Sequence, residues 1–233
     1  MTPTSSNVLF AYWSHDIGGN HNGTDCPGTD NPLDLFGMEL LVRWLQFAAV
    51  SPIWRTHCSC DRYFWTFPYF DIMRQAFHLR NALGPYIYTS ARQAYDTAVG
   101  LVHPLYYEWP EEDGAYAFRD QYMFGPDVLA APIARPSDEL TRRVAKDVWL
   151  PPGRWVSWDG ATVFDGPHVV SRADWTLADL PMYARAGAVI PMKTMASVAT
   201  MTPVDPLVWV IFSAGGPLSG SGRLYEDDGV SLA

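Results

Sequence analysis

Apolar and polar positions alternate in two different textures along the 233 residues, and they meet near residue 102. In the first texture, residues 7–13 form a short apolar run that predicts a buried strand. The run ends on a polar tip, Trp13-Ser14-His15-Asp16-Ile17-Gly18-Gly19, and residues 21–31 form a loop rich in Gly, Pro and Asp. Asn31 followed by Pro32 makes a sound helix start, with Asn as the cap and Pro where a missing N–H costs nothing. The helix is expected over residues 34–50, with Phe36, Leu40, Trp44, Phe47 and Ala48 on one face. Glu39, Arg43 and Gln46 interrupt that face. Ser51-Pro52 ends it, Ile53-Trp54 is a very short strand candidate, and residues 55–62 are a polar loop. A second helical pattern starts at Tyr69 and carries Phe70, Met73 and Phe77 toward Leu83. Gly84-Pro85 breaks it, residues 86–98 predict a third helix, and Gly100 closes that one. Apolar run, polar tip, helix, apolar run, then Arg55 and His57 is the order of a β/α unit. In such folds the polar residues just past the strand ends carry the chemistry.

From Leu101 the period shortens, and turn signals recur every eight to twelve residues. Residues 104–107, 127–131, 146–150, 155–158 and 207–211 read as strands. Pro151-Pro152-Gly153, Asp159-Gly160 and Asp165-Gly166-Pro167 read as the turns between them. This half predicts an antiparallel β-sandwich. No internal repeat is evident.

Composition narrows the classes. Hydrophobic residues make up 48% and charged residues 18%, with 10 Trp, 12 Tyr and 11 Phe, a globular rather than a disordered balance. Net charge is -9, and the basic residues do not cluster; Arg142-Arg143 is an isolated pair, so a nucleic-acid partner is not expected. Cys26, Cys58 and Cys60 are too few and too close for a disulfide framework, and the one-residue spacing of the last two is a poor zinc or redox motif. Residues 1–4 lack the basic start of a signal peptide, and no apolar run approaches membrane-spanning length, so no membrane partner is expected. The compartment stays unassigned, because the natural N-terminus need not be Met1.

Candidate chemistry gathers at the two polar tips. Asp16 lies beside Gly18-Gly19, where backbone can approach a ligand closely; equally, it can cap its own turn. Arg55 and His57 are separated by one residue, so an extended segment points both the same way. Together they suit recognition of a hydroxyl or a carboxylate, or form a structural pair with Asp61. Trp13, Trp44, Trp54 and Trp65 could stack on a sugar face or fill a core, and Trp44, on the helix face, reads as core. His15, His21, Asp16 and His57 follow no metal-ligand spacing, so no metal is expected. Gly18-Gly19 lacks the third glycine of a dinucleotide fingerprint.

These residues resemble a family pattern. Trp13 to Gly19, then Glu39-Leu40-Leu41-Val42-Arg43-Trp44-Leu45-Gln46, then Ser51-Pro52-Ile53-Trp54-Arg55-Thr56-His57, look like glycoside hydrolase family 31, the alpha-glucosidase and alpha-xylosidase family. The likeness continues in order through Leu83-Gly84-Pro85-Tyr86-Ile87-Tyr88 and Asp120-Gln121-Tyr122-Met123-Phe124-Gly125-Pro126-Asp127. It goes on through Trp149-Leu150-Pro151-Pro152-Gly153-Arg154-Trp155, the 180–191 segment and Leu224-Tyr225-Glu226-Asp227-Asp228-Gly229. Eight blocks in order over nearly the whole chain are far more specific than any single motif.

The resemblance implies the C-terminal part of a (β/α)8 TIM barrel over residues 1–102 and an antiparallel β-sandwich over 103–216. Residues 217–233 would start a truncated distal β domain. It implies a retaining O-glycosyl hydrolase of alpha-linked glucosides or oligosaccharides, with no cofactor. Asp16, Arg55 and His57 would bind the non-reducing sugar, with Trp13 or Trp54 packed behind. The family's nucleophile and acid/base aspartates both precede the Asp-Ile-Gly-Gly motif. Here no Asp or Glu stands before Asp16, so no catalytic residue is assigned and the chain by itself is expected to be inactive. At the family's arginine before Pro-Leu this chain has His103, and residues 25–34 form a richer loop than usual. Self-association through exposed barrel edges is expected. The alternative is a non-catalytic carbohydrate-binding or interaction module built on the sandwich.

Overall fold

The computed structural model describes residues 2–10, 12–18, 35–57, 64–194, 206–215 and 219–231. The expectations for Gly19, the 21–31 loop, the Asn31-Pro32 helix start, the side chain of Phe36, the three cysteines and Asp61 lie outside the described residues.

The first helix, α1 (Leu35–Ala49), runs where its period places it. Its buried stripe differs from the expected one. Met38, Leu41, Val42, Leu45, Ala48 and Ala49 pack with Met73 and Ala76, whereas Leu40 is 56% exposed and Trp44 and Phe47 are half-buried. Glu39, Arg43 and Gln46 are buried too. They share a second stripe that docks on the following domain, so the helix is covered on two sides. Gln46 donates to the Leu177 carbonyl at 2.8 Å and Arg43 to that of Asp179 at 3.2 Å, while Glu39 accepts from Ser137 N at 3.0 Å and Oγ at 2.7 Å. The interruptions are therefore a polar interface.

Helices α2 (Phe70–Ala82) and α3 (Gly84–Thr97) are separated only by Leu83. Gly84-Pro85 ends one helix and opens the next, since Pro fits a first turn that needs no N–H.

The strand expected over residues 7–13 is not formed. A 3-10 helix, Pro3–Val8, stands there, with Leu9 in the left-handed region and Val8, Leu9 and Phe10 exposed. A strand needs a neighbour to pair with, and this segment is tied instead by side chains: Ser6 Oγ to the Val102 carbonyl and Asn7 to Tyr106 and Tyr107. Ile53-Trp54 is also not a strand. What persists of the parallel pairing is one bridge, Ile17 with Thr56, closed by Ile17 N to Arg55 O at 3.3 Å and His57 N to Ile17 O at 2.9 Å.

The second half is antiparallel. Its strands are β1 (Val102–His103), β2 (Tyr122–Phe124), β3 (Val128–Ala130), β4 (Val144–Ser157), β5 (Val163–Trp175) and β6 (Met182–Arg185), ordered β1-β2-β3-β6-β4-β5. A second sheet pairs β7 (Val189–Lys193) with β8 (Leu207–Ile211). The 104–107 strand is corrected to a 3-10 turn, Leu105–Tyr107, since Pro104 takes the chain out of the ladder.

The strands expected at 146–150 and 155–158 are one, and Asp165-Gly166-Pro167 lies inside β5. The two turn signals face each other, with Gly153 opposite Gly166 and a register shift between Leu150 and Gly153. They bend both strands of one long hairpin together, as a bulge does. Asp159-Gly160 is its actual turn.

Successive residues of β2 and β3 serve two cores, as the two-residue period of a strand requires. Tyr122, Phe124 and Val128 face α3 together with Leu83, Tyr86 and Ile190. Met123 and Leu129 face the other way, toward Trp149, Leu150 and Trp155. Polar tips knit the halves: the Tyr86 hydroxyl donates to Phe124 O at 2.9 Å and that of Tyr122 to Val50 O at 3.1 Å. A mixed α/β region thus precedes an antiparallel region, the architecture of a partial TIM barrel followed by a β-sandwich.

Candidate functional site

The Ile17–Thr56 bridge sets the geometry of the tips. Asp16 precedes one bridging residue, and Arg55 and His57 flank the other. Arg55 Nη2 is paired with Asp16 Oδ1, and His57 Nδ1 lies 3.9 Å from Asp16 Oδ2. The carboxylate is the sheltered member of the three, with 21% of its side chain exposed against 53% for Arg55 and 46% for His57. The anion therefore holds the Arg55 guanidinium, while His57, the other exposed group, stands beside it beyond hydrogen-bond distance. His57 turns toward Asp16, not away from it.

Trp54, next to Arg55 in the chain, is stacked on Phe77 at 4.7 Å and packed into the α1–α2 core. Trp13 is held elsewhere. It meets His15 edge-on at 5.6 Å and lines a cavity that none of Asp16, Arg55, His57 or Trp54 lines. Trp44 is neither plain core nor part of the trio: its Nε1 donates to His15 Nδ1 at 2.9 Å. His15 also stacks flat on Phe47 at 4.5 Å. Burial lowers the His15 pKa, partly countered by the nearby Asp16 charge.

Sequence reading missed His15 as an anchor, although the alternation of 13 and 15 against 16 was a usable signal. It also missed a polar cluster at the edge of the sheet, built on the buried His103. His103 Nδ1 lies 3.0 Å from Gly100 O and its Nε2 3.1 Å from a Glu108 carboxylate oxygen. Arg185, lying over the rings of Trp109 and Trp155, donates to the other Glu108 oxygen. Glu108 thus joins β1, through His103, to β6, through Arg185. Among the described residues no three His, Cys, Asp or Glu side chains are grouped to hold a metal ion.

Comparison with known proteins agrees with this architecture. The model of the glycosyl hydrolases family 31 TIM-barrel domain matches residues 2–90, and that of the glycosyl hydrolase family 31 C-terminal domain matches residues 98–190. Among curated relatives, a 1,6-alpha-glucosyltransferase of Sporosarcina globispora is 30% identical over 94% of this chain and 16% of its own length. An alpha-xylosidase of Saccharolobus solfataricus is 30% identical over 94% of this chain and 28% of its own. A family 31 dextranase of Flavobacterium johnsoniae, solved with glucose, superposes with a TM-score of 0.82 at 29% identity. It covers 98% of this chain and 27% of that one. The chain thus spans between about a sixth and under a third of the length of these relatives.

Proposed function

Since the chain belongs to glycosyl hydrolase family 31, we propose that it supplies the sugar-binding wall of an O-glycosyl hydrolase acting on alpha-linked glucosides or oligosaccharides. The observation that carries this is the convergence of Asp16, Arg55 and His57 across the Ile17–Thr56 bridge. Arg55 and His57 donate to hydroxyls of the non-reducing sugar, and Asp16 holds Arg55 and accepts from a hydroxyl in turn. Trp54 backs the wall, and Trp13, turned to a separate cavity, takes no part in it. Groups desolvated by a bound sugar must find partners, which makes such a trio selective for hydroxyl placement.

Retaining hydrolysis needs two carboxyl groups about 5 Å apart on opposite sides of the anomeric carbon. In the family pattern both precede the Asp16 motif, and residues 1–15 contain no Asp or Glu. These 233 residues therefore bind and orient, and the nucleophile and the acid/base belong to a preceding barrel segment. Residues 1–102 form the barrel part, 103–216 the proximal sandwich and 217–233 the opening of a distal β domain. The limits of the two family matches and the passage from α3 to β1 support the first division.

The test is an assay of the purified chain with 4-nitrophenyl alpha-glucoside, alone and joined to a family 31 barrel segment that carries both aspartates. No turnover is expected alone, and turnover is expected when the barrel is complete. Hydrolysis by the isolated chain that vanishes in His57→Ala would overturn the division of labour.

A further inference from the structure

Residues 13 and 15 face a cavity of about 770 Å³ with aromatic walls, formed by Trp13, Trp44, Phe47 and Tyr122. It adjoins a second hollow of about 660 Å³, and Arg119, Ile133 and Arg135 line both. A hollow of this size accommodates a small organic molecule.

Its charges are unbalanced. Asp120, at the same shared rim, is neutralised by Lys146 at 2.5 Å. Arg119 and Arg135 are exposed, and neither forms an ion pair among the described residues. On a chain of net charge -9, two uncompensated guanidinium groups over an aromatic hollow favour an anion.

The wall itself offers few acceptors. Glu39 is used by Ser137 and Asp120 by Lys146, and His15 Nδ1 already accepts from the Trp44 indole. A carboxylate brings acceptors only, and two guanidinium groups at the rim are donors only.

We propose that this aromatic, arginine-rimmed cavity binds an organic monoanion with an apolar body, an aryl- or alkyl-carboxylate, at a place separate from Asp16, Arg55 and His57. The body packs against Trp44 and Phe47, and the carboxylate meets Arg119 and Arg135 at the mouth. The assignment does not depend on the sugar-wall reading.

The test titrates the full 233-residue chain with 3-phenylpropionate, followed by calorimetry and by the indole N–H resonances. Saturable one-to-one binding that moves the Trp13 and Trp44 indole signals is expected. The double variant Arg119→Gln/Arg135→Gln, at two exposed positions, should weaken it about tenfold or more, as should replacing the acid by neutral 3-phenylpropanol. Four results would overturn the proposal: heat that does not saturate; equal affinity for acid and alcohol; maltose displacing the acid; or a ligand-free dimer protecting the same indoles.

Discussion

His57, beside a carboxylate, and Glu108, itself a carboxylate between His103 and Arg185, show what one side chain contributes. In a completed barrel, His57→Ala removes a donor from a desolvated sugar subsite, a loss of about 1–3 kcal/mol. Because the reacting carboxylates are untouched, the loss should appear in kcat/KM for an aryl alpha-glucoside, with the pH dependence of kcat unchanged. A wild-type kcat/KM in that variant would remove His57 from the wall. Glu108 concerns stability instead. Burial pushes its carboxyl up, but hydrogen bonding to His103 and the charge of Arg185 outweigh this and hold its pKa below the ordinary 4.5. A carboxyl with a lower pKa folded than unfolded gives stability that is fully present above the unfolded value. That stability is lost as pH falls through the folded one. Urea midpoints at pH 7 and at successively lower pH below 4.5 should therefore fall more steeply for the wild type than for Glu108→Gln. Parallel curves would show that Glu108 contributes no such linkage.

Elements were legible where local chemistry decides them and illegible where tertiary partners do. The three long helices could be read because Ser51-Pro52, Gly84-Pro85 and Gly100 punctuate them. The face of α1 could not, because Glu39, Arg43 and Gln46 have acceptors and donors near residues 137 and 177–179, about a hundred positions away. Removing Glu39 by Glu39→Ala leaves Arg43, 94% buried, without its carboxylate 3.6 Å away. Breaking a buried pair on one side costs about 3–5 kcal/mol, and chemical denaturation should show a loss on that scale. The hairpin holds the opposite lesson. Pro151-Pro152-Gly153 and Asp165-Gly166-Pro167 look like turns singly and become a shared bend only when they face each other. A Cβ on Gly166 would collide with the Pro151 carbonyl oxygen across the ladder, while one on Gly160 meets nothing. Gly166→Ala should cost about 1–3 kcal/mol as an overpacked site. Gly160→Asn, at φ +75 in an open turn, should cost far less. Equal melting temperatures for the two variants would contradict the shared bend. The trio of Asp16, Arg55 and His57 was readable because it lies in two short motifs. The aromatic cavity was not, being assembled from segments around residues 13, 44, 119 and 135.

At the scale of the whole molecule the question is which surfaces the chain leaves unsatisfied. Strand β5 is thirteen residues long and lies at an edge of the large sheet, which would ordinarily invite pairing with another chain. It is guarded by charge: Asp165 pairs with Arg154, and Arg172 with Asp174. Strand β8 has no such guard. Leu207–Ile211 contains no charged residue, pairs only with β7 among the described strands, and exposes Val208, Trp209 and Ile211 at 39%, 43% and 54%. An exposed, uncharged, apolar edge is the surface on which two copies would add strand to strand. The expected outcome for the 233-residue chain expressed by itself is a sedimentation coefficient that rises with concentration. Trp209→Lys should shift the equilibrium toward monomer, because a charge on that edge must be desolvated for pairing. Association that Trp209→Lys leaves unchanged would move the contact to another apolar surface, such as the exposed Val8, Leu9 and Phe10. A monodisperse monomer over the whole concentration range would refute self-association outright.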